Sequence, residues 1–142
     1  MRAYGIDRFA GLDELNAVLT EADVVSLHLP LTDETRGSIG ASAFAAMKPG
    51  AVLINVARGA LVDESAMVEA LQSGQLGGAG LDVFEIEPME LDNPLLSMPN
   101  VVLTPHWAAA TTQTMVRRSA VAAGNARRVL VGEAPEYIVD GR

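Results

Sequence analysis

Three residues of this chain have side chains that could move a proton and hold an anion: Arg58, Glu87 and His106. A histidine can pass a proton to or from a hydroxyl group near neutral pH. A carboxylate beside that histidine would orient its ring, and an arginine fork can bind a carboxylate through two parallel hydrogen bonds. These residue types therefore point to proton transfer on a small substrate that is held by its own carboxylate.

The elements that must position these side chains can be predicted from the apolar pattern. Helices are predicted to begin near Asp13, Ser42, Asp63 and Thr112, and Gly74 is a suitable residue to end the third of them. Apolar runs between the helices predict five strands: Met1–Ile6, Val24–Leu29, Ala51–Val56, Gly78–Val83 and Val101–Thr104.

The alternation of strands and helices predicts an α/β fold of the doubly wound Rossmann type, with a parallel sheet and flanking helices. Because the strands are apolar without regular alternation, we expect both of their faces to be buried. Ligands of open α/β sheets bind beyond the carboxyl ends of the strands. The polar and special residues that follow the predicted strands are Asp7, His28, Pro30, Arg58, Gly59, Asp82, Glu87 and His106.

Composition excludes several classes of function. The net charge is −8 with only 10 Lys and Arg residues, so the chain lacks the basic face of a nucleic-acid binder. It has no cysteine, which excludes disulfides and thiolate metal sites, and we predict no metal site. No apolar run approaches the ~18 residues that a membrane span needs, and the first residues do not form a signal peptide. We therefore expect a cytoplasmic protein that binds neither nucleic acid nor membranes.

Three segments resemble the D-isomer-specific 2-hydroxyacid dehydrogenase family, with its phosphoglycerate dehydrogenase branch among the nearer matches. They are Met47–Gly59, Gly80–Pro88 and Asn100–His106, and the likeness covers nearly the whole chain. The spacings also match, with 29 residues from Arg58 to Glu87 and 19 from Glu87 to His106. The resemblance implies an NAD-dependent oxidoreductase that passes a hydride between a nicotinamide and the CH–OH group of a D-2-hydroxy acid.

The resemblance also implies a role for each matching residue. Arg58 resembles the arginine that binds the substrate and takes part in catalysis, His106 the acid/base, and Glu87 its paired carboxylate. Asp7 resembles the acidic residue that contacts the adenosine ribose, which favours NAD over NADP. The remaining cofactor-side positions implied by the resemblance, together with Arg58 and His106, are His28, Pro30, Val56, Ala57 and Asp82.

Some of these residues have simpler interpretations. Asp7 and Asp82 could be turn residues at the ends of strands, and His28 could be an ordinary structural histidine. Asp63 is better explained as a residue that begins a helix than as part of the site.

The sequence lacks two parts of the family pattern. It contains no G-x-G-x-x-G motif, whose turn and following helix would hold the pyrophosphate. The family's substrate domain is also missing, so the chain is expected to be a partial NAD-binding domain over residues 1–110. Residues 111–142 would be a C-terminal helix and tail that return towards the substrate domain.

The missing first strand has a predicted structural consequence. In the strand order 3-2-1-4-5-6, this strand lies between the second and the fourth. Residues Met1–Ala10 are therefore expected to be displaced or irregular, unless another chain covers the apolar edge of Val24–Leu29.

Three functions remain open at this point. The first is the dehydrogenase, either active or inactive as this fragment, which would act on a small 2-hydroxy or 2-oxo acid and form a homo-oligomer, such as a dimer. The second is a non-catalytic, corepressor-like module that senses a dinucleotide with the same fold. The third is an oligomerisation piece in which Thr112–Leu130 packs against a second chain.

Overall fold

A computed structural model describes residues 1–6 and 12–138. These residues divide into two compact units, one within residues 1–106 and the other within residues 107–138. The first unit contains one five-stranded parallel sheet in the order β1-β2-β3-β4-β5. Its strands are β1 (Ala3–Ile6), β2 (Val24–Leu27), β3 (Ala51–Asn55), β4 (Leu76–Leu81) and β5 (Val101–Leu103). The predicted α/β class with a parallel Rossmann-type sheet is confirmed.

Three α-helices connect the strands: α1 (Leu12–Leu19), α2 (Ala41–Ala46) and α3 (Glu64–Ser73). Two short 3₁₀ helices, Gly59–Leu61 and Pro94–Ser97, lie in the loops after β3 and β4. The side chain of Asp63 begins α3 by accepting a hydrogen bond from the amide of Ala66 at 3.1 Å, and Gly74 ends it in the left-handed conformation. Both ends of α3 are as the sequence predicted.

One face of the sheet carries the hydrophobic core. Alternate strand residues such as Val25, Leu27, Leu53 and Leu81 are buried, and they join the buried side chains of α1, α2 and α3 in a single cluster. On the other face Val24, Ser26, Val52 and Ile54 are only half-buried, and Val102 is 68% exposed. The prediction that the strands are buried on both faces is therefore wrong for this second face.

The expected displacement of the first residues is also wrong for the part that the structure describes. Strand β1 pairs with β2 in parallel, from Ala3 opposite Val24 to Ile6 opposite Leu27. The carbonyl of Arg2 accepts from the amides of Asp23 and Val24, and the amide of His28 donates to the carbonyl of Ile6 at 2.7 Å. Pairing with β1 satisfies backbone groups of β2 that would otherwise be left unpaired, and this gain explains the regular strand. Residues 7–10 of the same prediction lie outside the described residues.

Two smaller expectations are corrected. Ser42 does not begin α2, because Gly40 occupies the N-cap position and no side chain caps the helix. Strand β4 runs from Leu76 to Leu81, two residues earlier at both ends than the predicted Gly78–Val83. Glycine is disfavoured in strands, so the apolar pattern alone did not place Gly77 in the strand.

The second unit contains α4 (Thr112–Leu130), which Thr111 begins by accepting a hydrogen bond from the amide of Thr114. The side chain of Asn125, within the helix, exchanges two hydrogen bonds at 2.8 and 2.9 Å with the backbone of Glu136, which follows the helix. Arg128 forms ion pairs with Glu133 and Glu136. The segment after the helix is thus tied back to α4. No helix among residues 12–138 is long and apolar enough to span a bilayer.

Candidate active site

Arg58 lies on a tight turn that follows β3 and that a buried asparagine shapes. Asn55 ends the strand and is 1% exposed. Its side-chain amide donates to the carbonyl of Arg58 at 2.9 Å, and its side-chain oxygen accepts from the amide of Ala57 at 3.1 Å. The turn Val56–Arg58 is therefore held from inside the protein, while the Arg58 side chain is exposed and donates to the carbonyl of Ala57. This places a guanidinium group on a fixed backbone at the carboxyl edge of the sheet.

Glu87 and His106 form a direct pair across two loops. Oε2 of Glu87 lies 2.8 Å from Nδ1 of His106, and Oε1 accepts from the amide of Phe84 at 3.0 Å. Both oxygens of the carboxylate thus have partners, and the second one fixes the loop that follows β4. The arrangement leaves Nε2 of His106 as the ring nitrogen available for proton transfer.

The backbone at His106 has the left-handed conformation, with φ of 56°. This conformation is uncommon outside glycine, although histidine tolerates it better than most residues. His106 lies three residues after the end of β5, and its amide donates to the carbonyl of Thr104 at 3.0 Å. The same residue thus combines a left-handed backbone conformation with the hydrogen bond between its ring and Glu87.

The electrostatics of this pair favour an ionised carboxylate. The hydrogen bond from His106 lowers the pKa of Glu87 most, followed by the hydrogen bond from the amide of Phe84. Desolvation opposes this shift, and the charge of Arg58 lowers the pKa a little further. Glu87 and His106 are thus brought together, and Arg58 lies near enough to act on Glu87 through its charge.

An apolar cavity of about 280 Å³ opens beside the pair. Its lining residues are Phe84, Glu87, Pro88, Met89, Pro105 and His106. The cavity brings apolar surface together with a carboxylate and an imidazole, which is the usual composition of a small-molecule site.

The cofactor-side residues predicted from the sequence have different environments. Asp82 is 3% exposed, and the hydroxyl of Thr104 donates to its Oδ1 at 2.5 Å. His28 is exposed and its Nε2 lies 2.9 Å from the hydroxyl of Ser26. Asp7 lies outside the described residues. Val56 and Pro30 are exposed, and Ala57 is half-buried. The described residues of this set all follow the carboxyl ends of β2, β3 or β4.

Sequence reasoning missed three contributors to the site: Asn55, the backbone amide of Phe84, and Thr104. A polar residue that ends an apolar strand was a usable signal for Asn55, because a buried amide must find hydrogen-bond partners. No side-chain pattern could have indicated the amide of Phe84, since every residue other than proline carries such a donor. Among the described residues, no hydrogen bond or ion pair joins His28 or Pro30 to Arg58, Glu87 or His106.

A parallel α/β sheet with polar groups gathered at its carboxyl edge defines the class of Rossmann-type, nucleotide-binding domains. Residues 4–108 match the family described as D-isomer specific 2-hydroxyacid dehydrogenase, NAD binding domain. The chain therefore belongs to this family.

Individual relatives agree with that assignment. The chain is 49% identical over 127 residues to glyoxylate/hydroxypyruvate reductase B of Shigella boydii serotype 4 (strain Sb227), covering 89% of this chain and 39% of the relative. A D-isomer specific 2-hydroxyacid dehydrogenase from Xanthobacter autotrophicus Py2, solved with NADPH and MES, is 39% identical with a TM-score of 0.80. That match covers 97% of this chain and 60% of the other.

D-lactate dehydrogenase with NAD+ from Lactobacillus jensenii is 34% identical with a TM-score of 0.81, over 97% of this chain and 48% of the other. One of these structures holds NADPH and the other NAD+, so the likeness supports a nicotinamide cofactor without selecting between the two. The chain spans about two fifths of the length of the curated relatives it matches.

Proposed function

We propose that this chain is the cofactor-side and catalytic part of an NAD-dependent oxidoreductase that interconverts a D-2-hydroxy acid and the corresponding 2-oxo acid. The single observation that carries the proposal is the hydrogen bond between Glu87 and His106 at the carboxyl edge of the sheet. The names of similar reductases favour a small 2-oxo acid such as glyoxylate or hydroxypyruvate.

The three side chains divide the chemistry in a simple way. Reduction of a 2-oxo acid adds a hydride to the carbonyl carbon and a proton to the carbonyl oxygen. His106 donates that proton from Nε2, while Glu87 holds the ring through Nδ1 and stabilises the charged imidazolium. Arg58 binds the substrate carboxylate and polarises the neighbouring carbonyl. In the oxidation direction the same nitrogen accepts the proton of the hydroxyl group.

The nicotinamide, when bound, supplies or accepts the hydride. The residues at the strand ends fit the nicotinamide half of a dinucleotide: Thr104 offers an exposed hydroxyl that the buried carboxylate of Asp82 orients, and Val56 offers exposed apolar surface. We assign Ala57, Arg58 and His106 to this nicotinamide end, and His28 and Pro30 to the loop that lies along the cofactor. Asp7 is proposed to contact the adenosine ribose, and an acid there selects NAD over NADP by repelling a 2′-phosphate.

The test combines binding and turnover on the 142-residue chain. In the presence of NADH, glyoxylate should shift the NMR signals of the Arg58 side chain and the His106 ring. Arg58→Gln should weaken this effect strongly, whereas Arg36→Gln should not, because Arg36 is an exposed arginine on another loop. With the chain in excess over NADH, the rate at which glyoxylate oxidises NADH should fall by about 10²–10⁴-fold in His106→Ala.

The outcomes separate the candidate functions. NADH binding without any effect of a 2-oxo acid would favour a dinucleotide-sensing module over the enzyme. NADH oxidation that is insensitive to His106→Ala would remove the assigned acid/base role. A cytoplasmic, homo-oligomeric protein remains our prediction, and the mass of the chain in solution tests the second part.

A further inference from the structure

We propose that Gly59 is a positioning residue for the pair formed by Glu87 and His106. It does this by leaving room for the backbone of Phe84 and Glu85, which in turn holds the carboxylate of Glu87. The catalytic meaning of this inference rests on the proposed function, but its geometry does not.

Gly59 packs directly against the loop after β4. A Cβ atom added to Gly59 would lie 1.9 Å from the carbonyl carbon of Phe84, 2.0 Å from its oxygen and 2.5 Å from the amide nitrogen of Glu85. These three atoms belong to backbone, so no rotation of a flexible side chain could relieve the overlap. The backbone of Gly59 is not left-handed, so glycine is needed at this position because a side chain would not fit.

The crowded peptide joins Phe84 to Glu85, and it is next in the chain to the peptide whose amide, that of Phe84, binds the carboxylate. The amide of Phe84 donates to Oε1 of Glu87 at 3.0 Å, and Oε2 of Glu87 meets Nδ1 of His106 at 2.8 Å. An ordinary contact would require the peptide joining Phe84 and Glu85 to retreat by about 1.5 Å. The donating amide is linked to this peptide through the Cα of Phe84, so the retreat would shift or turn the amide as well. A hydrogen bond weakens steeply when its distance and angle change in this way, unless its acceptor follows.

Gly59 also connects the two halves of the site. It follows Arg58, whose carbonyl is held by the buried side chain of Asn55. The turn that carries Arg58 and the loop that carries Glu87 thus meet at Gly59, backbone against backbone. A side chain here would move the carboxylate relative to the guanidinium group without touching either of them.

The test compares Gly59→Ala with Gly77→Ala. A Cβ at Gly77 would lie 2.4 Å from the carbonyl oxygen of Gly50, so this control also forces backbone apart, but at the opposite end of the sheet from the site. The readout is the pKa of the Glu87 carboxyl, followed by carbon-detected NMR of the folded chain. We expect this pKa to rise towards its ordinary value in Gly59→Ala and to stay low in Gly77→Ala.

A measurement on the unmodified chain covers the case in which Gly59→Ala fails to fold. The amide signals of Phe84 should follow the titration of Glu87, and the α protons of Gly59 should show a nuclear Overhauser effect to the amide of Glu85. Absence of either signal overturns the inference. A low pKa of Glu87 that persists in folded Gly59→Ala overturns it as well and leaves the proposed function intact. An ordinary Glu87 pKa in the unmodified chain would contradict the hydrogen bond between Glu87 and His106, and would overturn the proposed function together with this inference.

Discussion

Nδ1 of His106 lies 2.8 Å from Oε2 of Glu87, although the two residues belong to loops that follow different strands of the sheet. The other carboxylate oxygen is bound by the amide of Phe84, so the group can neither rotate freely nor exchange its partners easily. This double attachment holds the imidazole ring in one orientation and favours one of its two tautomers.

The tautomer is the first prediction. Neutral His106 should carry its proton on Nδ1, which donates to Glu87, and should leave Nε2 unprotonated. The ¹⁵N shifts of the imidazole ring, measured at a pH where the ring is neutral, report this directly. Glu87→Ala should abolish the preference, whereas Glu85→Ala should keep it, because Glu85 is exposed and among the described residues it is Glu87 that pairs with the ring. A ring that is mainly protonated on Nε2 in the unmodified chain would contradict the assigned orientation.

The second prediction concerns Asn55 and the turn that carries Arg58. In Asn55→Asp, the new side chain can still accept from the amide of Ala57, but when ionised it cannot donate to the carbonyl of Arg58. Leaving this group unsatisfied should lower the free energy of unfolding by about 1–3 kcal/mol at pH 7. The loss should shrink near pH 4, because burial favours the protonated carboxyl, which can donate again. Asn16→Asp, at an exposed position of α1, is the control in urea unfolding. An equal loss at both pH values would count against a donated hydrogen bond.

The third prediction concerns the cap of α3. Hydrogen bonds from the hydroxyl of Ser65 and the amide of Ala66 lower the pKa of Asp63. The ionised cap therefore adds stability above the unfolded-state pKa of about 3.9, and this addition is lost as the pH falls through the lower pKa of the folded state. Asp63→Ala should reduce the free energy of unfolding by about 1 kcal/mol at pH 7, and by less in acid. Asp63→Asn keeps a capping oxygen and should remain near the original stability at pH 7, which urea titrations can measure.

The fourth prediction tests the one-sided core. Leu53 is fully buried in the middle strand of the sheet, so Leu53→Ala should cost about 2–5 kcal/mol of unfolding free energy. Val102→Ala, at a strand position that is 68% exposed, should change it by less than about 0.5 kcal/mol. Chemical unfolding followed by circular dichroism measures both. Similar losses for the two variants would mean that the half-exposed face contributes as much as the core face.

The apolar pattern predicted the strands and helices well, because a short apolar run between two helical segments usually forms a strand of a parallel sheet. It failed where glycine and pairing partners decide the structure. Gly77 belongs to β4 although glycine argues against a strand, and the strand ends at Leu81 rather than at Val83. Strand β1 pairs with β2 because this pairing gives hydrogen-bond partners to backbone N–H and C=O groups of both strands.

The trio of Arg58, Glu87 and His106 was predictable because each residue follows a strand, and parallel strands bring their carboxyl ends to one edge. Residue types and spacing thus determined the fold class, the family and the chemistry that these side chains can perform. Only the tertiary structure decided how they are held: the buried amide of Asn55 under Arg58, the amide of Phe84 on Glu87, and the backbone contact at Gly59. Those contacts depend on distances between loops that are far apart in the chain, and a linear pattern of residue types carries no record of such distances.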